Sequence, residues 1–560
     1  MKRTIYYGIL PLLLLLVLAQ STPAQVAPRY LVRLADKANS PYSIQNPTAF
    51  LSERALARRQ RQNIAVTESD LPVNPAYLQA LRQTGAKVLY SSRWFNAALV
   101  EATDAQLAAI RNLPFYRSIE HGLPLANLNA QPTRGLARLG AVSQKLGTLE
   151  TIDHGQMRNQ LALLGVPAFQ ETGYRGQGML IAVFDAGFLR ANQVGYLRHL
   201  YNDQKVLDTH DYIGRDGDVY NDHNHGLNVL STIAANQPGS LVGAAFEASF
   251  ALYRTENEYS ESPYEEVTWL LAAERADSLG ADIINTSLGY NVFEGEFDTP
   301  AYNYTYANMD GQTTIVSRAA RWAARKGILV VCSAGNEGND AWRYITAPAD
   351  VDSVVSVGAT YLDRSIAPFS SIGPTANGLL KPDVAAVGAG VVVGNQVGQG
   401  GISTSNGTSF SAPQIAGMAA ILWQAYPFLT AQQVRDVLRK SGHQASRPDN
   451  FLGYGVPNLA TAQQIIQAEY GPLGQPSNST IPTLLYPNPT TDELLLSLGS
   501  FFPGERVEFR ILHPSGTLVS TSLQTIGPTV VIPVRYLSAG LYLLRFTTTQ
   551  GTYTLRFIKQ

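Results

Sequence analysis

Met179 to Asp185 reads MLIAVFD. Six apolar residues in a row, closed by an acid, predict a strand buried on both faces, because a half-buried strand would alternate. Similar runs recur downstream. Asp282 to Asn285 (DIIN) follows a helical pattern over Tyr264 to Leu279, and Gly327 to Cys332 (GILVVC) follows another around Ala319 to Arg325. Val354 to Val357 adds a further strand. Strands alternating with helices predict an α/β domain over residues 150–470, a parallel sheet with helices on both faces. The last helix is expected over Ser409 to Ala425, with Pro413 in its first turn, where proline is tolerated.

The flanking segments differ in pattern. Residues 25–125 read as a small α+β unit. Its strands are Arg29 to Leu34, Lys87 to Ser91 and Ala97 to Glu101; its helices are Phe50 to Arg61, Asn74 to Thr84 and Asp104 to Asn112. Residues 126–149, rich in Asn, Gln, Gly and Leu, read as a linker. A second linker, 471–480, precedes residues 481–560. There, short alternating runs (Glu493–Leu498, Arg506–His513, Thr529–Val534, Gly540–Thr547, Gly551–Ile558) separated by turn residues predict an antiparallel β-sandwich. At the start, Lys2 and Arg3 precede an apolar run from Ile9 to Ala19, shorter than the roughly 20 residues of a spanning helix. Thr22 and Ala24 follow at cleavage-site spacing, so residues 1–24 read as a signal peptide and the mature chain as free of transmembrane segments.

Composition narrows the function. With 42 Lys plus Arg against 43 Asp plus Glu, the chain has no net field to draw nucleic acid or an anionic membrane. The single cysteine, Cys332, excludes a disulfide framework and any Cys-based metal site within one chain. Its place in an apolar strand marks it as a small buried residue.

Four patches of the middle domain carry chemical potential. Asp185 stands at the carboxyl end of its strand, where open α/β sheets bind ligands. His225 opens the apolar helix of HGLNVLSTIAAN, with His223 as a nearby competitor. Asn336 follows GILVVC in SAGNEG, where a side-chain amide can donate to a developing oxyanion. Ser409, in NGTSFSAP, begins a helix whose end N–H groups and dipole also favour an oxyanion. Singly, each residue has a bland reading: a turn acid, a loop histidine, a Gly–Asn turn, a serine N-cap. Together they run Asp, His, Asn, Ser. That is neither the chymotrypsin order nor the α/β-hydrolase order, and Ser411 breaks a G-x-S-x-G elbow.

At these residues the chain resembles the subtilisin-like serine proteases, the subtilases. IAVFDAGF, HGLNVLSTIAAN, NTSLGY, SAGNEG and NGTSFSAPQIAG are similar to that family's conserved-role blocks. The resemblance implies a secreted serine endopeptidase. Asp185 would orient the imidazole, His225 would be the general base and Ser409 the nucleophile. Asn336 and the Ser409 N–H would form the oxyanion hole. Ser287, Leu288 and Gly289, with Gly335, would bind substrate backbone as an added strand. Ala186 stands where Thr or Ser is usual, and Asn228 and Ser231 where His and Gly are usual; these bear on efficiency more than on reaction type. The competing class is a surface-displayed binding protein that keeps the fold and has little or no catalysis.

The resemblance extends outward. The 25–125 unit resembles a subtilase propeptide, which implies self-cleavage within 122–150. Tyr486-Pro487-Asn488-Pro489, with LSAGLYLLRF and TLRFIKQ, resembles the sorting domain of the type IX secretion system. It implies secretion machinery as a partner, polypeptides as substrates and an extracellular or outer-surface location. No cofactor is required on this reading. Structural calcium occurs in the family, and Asp216, Asp218, Asn221 and Asp222 offer oxygen ligands. Their spacing matches no fixed calcium motif, and a solvated loop is the favoured reading.

Overall fold

The computed structural model describes residues 27–126, 152–257, 260–398, 400–470, 484–497, 506–513, 517–525, 529–548 and 551–560. The expected signal peptide, nearly all of 126–149 and the 471–480 linker lie outside the described residues. The chain divides into two bodies, one taking residues up to 43 together with 68–136, the other taking 44–67 and everything from 137 onward.

The first body is an antiparallel sheet in the order Lys87–Ser92, Ala97–Glu101, Arg29–Leu34, Tyr116–Ile119. Asn74 caps the helix Pro75–Gln83 through the Ala76 N–H, and a Thr103–Gln106 capping box starts Asp104–Arg111. Leu81, Leu107 and Ile110 pack on Val32 and Val100 to form its core. The strand Tyr116–Ile119 was not expected. Only Ile119 of its four residues is buried, too little for an apolar signal.

The core of the second body is a seven-stranded, all-parallel sheet. Its order is Val384–Val387, Val355–Thr360, Leu329–Ser333, Ile283–Thr286, Leu180–Asp185, Ser249–Arg254, Val206–Asp211. Every residue of Leu180–Asp185 is buried, as the uninterrupted apolar run requires. Each of its large aliphatic side chains contributes about 1.5–3 kcal/mol by leaving water. Helices His225–Ala234, Pro263–Leu279, Ile315–Arg325 and Thr408–Ala425 flank the sheet. A Ser262–Glu265 capping box starts the second of these, and Gly280, in the left-handed region, ends it.

One local expectation is corrected. The last of these helices begins at Thr408, so Pro413 falls in its second turn. Proline there removes the N–H that would bond the Ser409 carbonyl four residues back.

The C-terminal segment forms two antiparallel sheets. One has the order Leu484–Tyr486, Glu493–Ser497, Thr529–Pro533; the other has Leu518–Thr525, Arg506–Leu512, Gly540–Thr548, Gly551–Lys559. Burial alternates along Arg506–Leu512, and Val507, Phe509 and Ile511 join Leu544, Phe546 and Phe557 in the core. The YPNP turn meets the last strand. The Asn488 amide donates to the Arg556 carbonyl at 3.0 Å, and its oxygen accepts the Ile558 N–H at 2.8 Å.

Candidate active site

In a parallel sheet all carboxyl ends lie on one side, and the candidate residues gather there. Asp185 ends Leu180–Asp185 and is fully buried. Its Oδ1 accepts the Ala186 N–H at 2.8 Å and a hydrogen bond from His225 Nδ1, also at 2.8 Å. A carboxylate only accepts, so Nδ1 carries the proton and Nε2 is left to act as a base. Gly226 explains the His–Gly pair. A Cβ there would stand 2.4 Å from the Gly187 carbonyl oxygen and 2.8 Å from Asp185 Cβ, so a larger residue would push the helix start away. Val229, Leu230 and Ile233 are buried further along that helix and anchor it in the core. His223 is the neighbouring ring, stacked on that of His225 with centroids 6.4 Å apart.

Burial alone would lower the His225 pKa. The Asp185 charge and hydrogen bond outweigh it, so the imidazole titrates above its ordinary value. Among the described residues the second oxygen of Asp185, Oδ2, is buried without a hydrogen-bond partner. That edge of the carboxylate faces no donor from Ala186, which has no hydroxyl.

Ser409 is the second residue of its helix and is 9% exposed. Gly407 delivers the chain to it at φ +141°, a conformation that favours glycine. The Ser409 hydroxyl donates to the Ser287 carbonyl at 3.2 Å, and no hydrogen bond joins it to His225 among the described residues. The Phe410 ring, next in the chain, lies 5.4 Å from the His225 ring. Such catalytic contacts often tighten only with substrate bound.

Thr408 links the serine to Asn336. Asn336 Oδ1 accepts the Thr408 N–H at 2.9 Å and the Thr408 hydroxyl at 3.0 Å. With the oxygen so held, the amide Nδ2 has no partner among the described residues. The Thr408 hydroxyl also bonds Gly335, accepting its N–H at 3.3 Å. Asn336 and Gly335 are therefore fixed to the start of the Ser409 helix.

Ser287, Leu288 and Gly289 continue from the carboxyl end of Ile283–Thr286. The Ser287 hydroxyl donates to the Ser409 carbonyl at 2.8 Å. The Leu288 carbonyl accepts the Ser333 hydroxyl at 3.2 Å. Gly289 is exposed, and its backbone N–H and C=O make no hydrogen bond among the described residues, which leaves an open edge.

Two supporting residues escaped sequence reading. Thr408 carries no motif signal of its own, standing between Gly407 and Ser409. Arg254, nearly buried, pairs in register with Asp185; its Nε donates to the Ala186 carbonyl at 3.0 Å, and Nη1 meets Asp211 at 2.9 Å and Asp222 at 3.0 Å. The signal available was a lone cation ending the apolar strand SFALYR.

Among the described residues the acidic loop does not bring three carboxylates together as a cation site would. Asp216 accepts the Asp218 N–H, Asp218 accepts the Tyr220 N–H and pairs with Asn221, and Asp222 is bound to Arg254. Burial raises Asp222 to about 6, with Arg254 opposing. The carboxylates thus close local turns and a salt bridge. Elsewhere Glu256, Glu261 and Glu265 place carboxylate oxygens within 4.8 Å of one another. Burial, then mutual repulsion, pushes Glu256 and Glu265 well up. The buried Cys332 thiol is likewise pushed up by burial, as expected for a residue that serves packing.

The Subtilase family matches residues 176–455, half of the chain. The chain belongs to the subtilase family. Subtilisin DY of Bacillus licheniformis is 28% identical over 320 residues, 56% of this chain and 100% of that protein. Subtilisin E of Bacillus subtilis (strain 168) is 27% identical over 308 residues, covering 54% of this chain and 70% of that protein. Serine protease AprX of the same strain is 28% identical over 316 residues, covering 50% and 65%. This subtilase is a serine-type endopeptidase. Residues 29–135 match the Peptidase S8 propeptide domain, Bacteroidota, and residues 484–560 the Secretion system C-terminal sorting domain. The sorting domain implies secretion through the type IX system. Among the described residues no helix is long and apolar enough to cross a membrane.

Proposed function

We propose that Asp185, His225 and Ser409 form the catalytic triad of this endopeptidase, with Asn336 and the Ser409 N–H as its oxyanion hole. The observation that carries the reading is the hydrogen bond of 2.8 Å from His225 to the buried Asp185, on the side of the sheet where Thr408 ties Asn336 to the start of the Ser409 helix.

The reaction follows from these positions. Rotation about the Ser409 side chain takes its hydroxyl from the Ser287 carbonyl to His225 Nε2. His225 accepts the proton as Oγ attacks the peptide carbonyl. The Asp185 carboxylate stabilises the imidazolium and holds the tautomer. The carbonyl oxygen becomes an oxyanion, met by Asn336 Nδ2 and the Ser409 N–H. His225 then protonates the leaving amine, and water repeats the sequence on the acyl-enzyme. Substrate backbone adds to the open edge at Ser287, Leu288 and Gly289, with Gly335 opposite.

The domain limits at 24, 125, 150, 470 and 480 are part of the same reading, as is cleavage of the propeptide within 122–150 and delivery to the exterior or outer surface by the C-terminal domain. The test is labelling of the processed enzyme with a fluorophosphonate probe. Ser409 takes the probe and Ser409→Ala takes none and hydrolyses no peptide. Near-normal hydrolysis by Ser409→Ala moves the nucleophile to another residue, and a folded chain that neither takes the probe nor hydrolyses peptide is a binding protein; either result removes the assignment.

A further inference from the structure

Residues 44–67 lie within the stretch matched by the propeptide family, yet they pack into the body that holds the catalytic domain. Their helix, Glu53–Arg61, carries two arginines that are 0% and 1% exposed, Arg58 and Arg59. Both meet Asp277, itself fully buried, at 2.5 Å and 2.7 Å. Arg54 donates to the Gly178 and Gly280 carbonyls and to the Asp282 carboxylate. Gln62 donates to the Gly327 carbonyl at 2.7 Å and accepts the Ala431 N–H at 2.8 Å.

Gly178, Asp282 and Gly327 stand one or two residues before Leu180–Asp185, Ile283–Thr286 and Leu329–Ser333. The segment therefore covers the amino ends of the central strands. Asp185, Ser287 and Asn336 are at the opposite ends, and the strand Leu180–Asp185 alone spans roughly 17 Å. A segment held there leaves the cleft open.

Its departure would break both Asp277 ion pairs and the bonds of Arg54 and Gln62 together, and bare the two buried guanidinium groups and the surfaces they cover. Salt screens such buried pairs far less than exposed ones. We propose that residues 44–67 stay bound to the catalytic domain after the chain is cut between propeptide and protease, as a permanent strap across the amino ends of the sheet. The proposal goes beyond the catalytic reading and rests only on that cut.

The test supplies the cut itself. The full chain carrying Ser409→Ala, with the recognition sequence of a site-specific endopeptidase substituted for residues 137–143, is cleaved by that enzyme. The products are run on gel filtration at low salt and at ~1 M NaCl, where the Debye length is only about 3 Å. The expected result is co-elution of the N-terminal fragment with the catalytic domain at both salts, with amide exchange still slow over 53–61. In the Arg58→Ala/Arg59→Ala chain, retention weakens on the order of a hundred-fold or more. Asp277→Asn, which keeps the side-chain size, is read in the same way where the double variant fails to fold. Release of the parent fragment at low salt, fast exchange over 53–61 after the cut, or unchanged retention in the variants overturns the proposal. Failure of the catalytic reading registers separately, as absence of probe on Ser409 in the unmodified enzyme.

Discussion

The Ser287 hydroxyl donates to the Ser409 carbonyl at 2.8 Å, filling the acceptor that Pro413 leaves without its helical N–H. The Ser409 hydroxyl returns a bond of 3.2 Å to the Ser287 carbonyl. One residue thus serves two ends: its backbone edges the groove and its side chain satisfies the helix that carries the candidate nucleophile.

Ser287→Ala leaves the buried Ser409 carbonyl unsatisfied. The expected loss is about 1–3 kcal/mol of stability. kcat falls more than KM rises, because the serine loses its fixed position. Denaturant unfolding on a Ser409→Ala background, which prevents autolysis, reads the first effect; steady-state kinetics read the second. The double change Ser287→Ala/Pro413→Ala, which restores the helical N–H, should recover part of the stability.

The pH profile tests Asp185. The proposed mechanism needs neutral His225, and the carboxylate raises its pKa against the opposing effect of burial. Activity is therefore lost as pH falls through a value above the ordinary 6.5. The pair's contribution to stability has the opposite course: it is present below the unfolded value and disappears as pH rises through the folded one. Asp185→Asn removes the charge. The acid limb of kcat/KM moves to lower pH, and kcat drops on the order of 10⁴-fold because the tautomer is no longer enforced. An unmoved acid limb would assign the titration to another group.

Asn336 and Thr408 separate a contact from its support. Asn336→Ala should lower kcat on the order of 10²–10³-fold with little change in KM, since the amide acts on charge that exists only in the transition state. Thr408→Val removes the hydroxyl that bonds Asn336 Oδ1 and Gly335 while the Thr408 N–H still holds Asn336. Its loss in kcat should be smaller, roughly tenfold, which corresponds to about 1.4 kcal/mol of lost positioning. Equal losses in the two variants would place Thr408 in the transition-state contact itself.

What could be read from the sequence follows burial. MLIAVF announces a strand because it is covered on both faces. Val206–Asp211, an edge strand of the same sheet, does not: VLDTHD is mostly half-exposed and has no continuous apolar run. Candidates for chemistry came from motif order, which is independent of packing. The groups that hold them did not. Arg254 reaches Ala186, Asp211 and Asp222 only because two distant strands lie in register. The Ser287–Ser409 bond depends on a proline one turn beyond the serine. Even the arginine-rich helix at Glu53–Arg61, plainly basic in sequence, gave no hint that two of its charges are buried against Asp277.

Glu261 ties stability to pH. Burial first, then the charges of Glu294 and Glu266, raises its carboxyl from 4.5 to about 7. The carboxylate oxygens of Glu256 and Glu265 lie within 4.8 Å of it and of each other, and burial raises both groups too. Between pH 4.5 and about 7 the folded chain binds a proton at Glu261 that the unfolded chain has released. Stability therefore falls as pH rises across that window. Glu261→Gln removes the charge and keeps the size. It should leave stability near pH 4 unchanged and raise it at pH 8 by on the order of 1 kcal/mol, after allowance for screening. Denaturant midpoints of the Ser409→Ala chain with and without the substitution, taken at both pH values, decide the matter: an equal difference at the two pH values would mean that Glu261 does not titrate in this range.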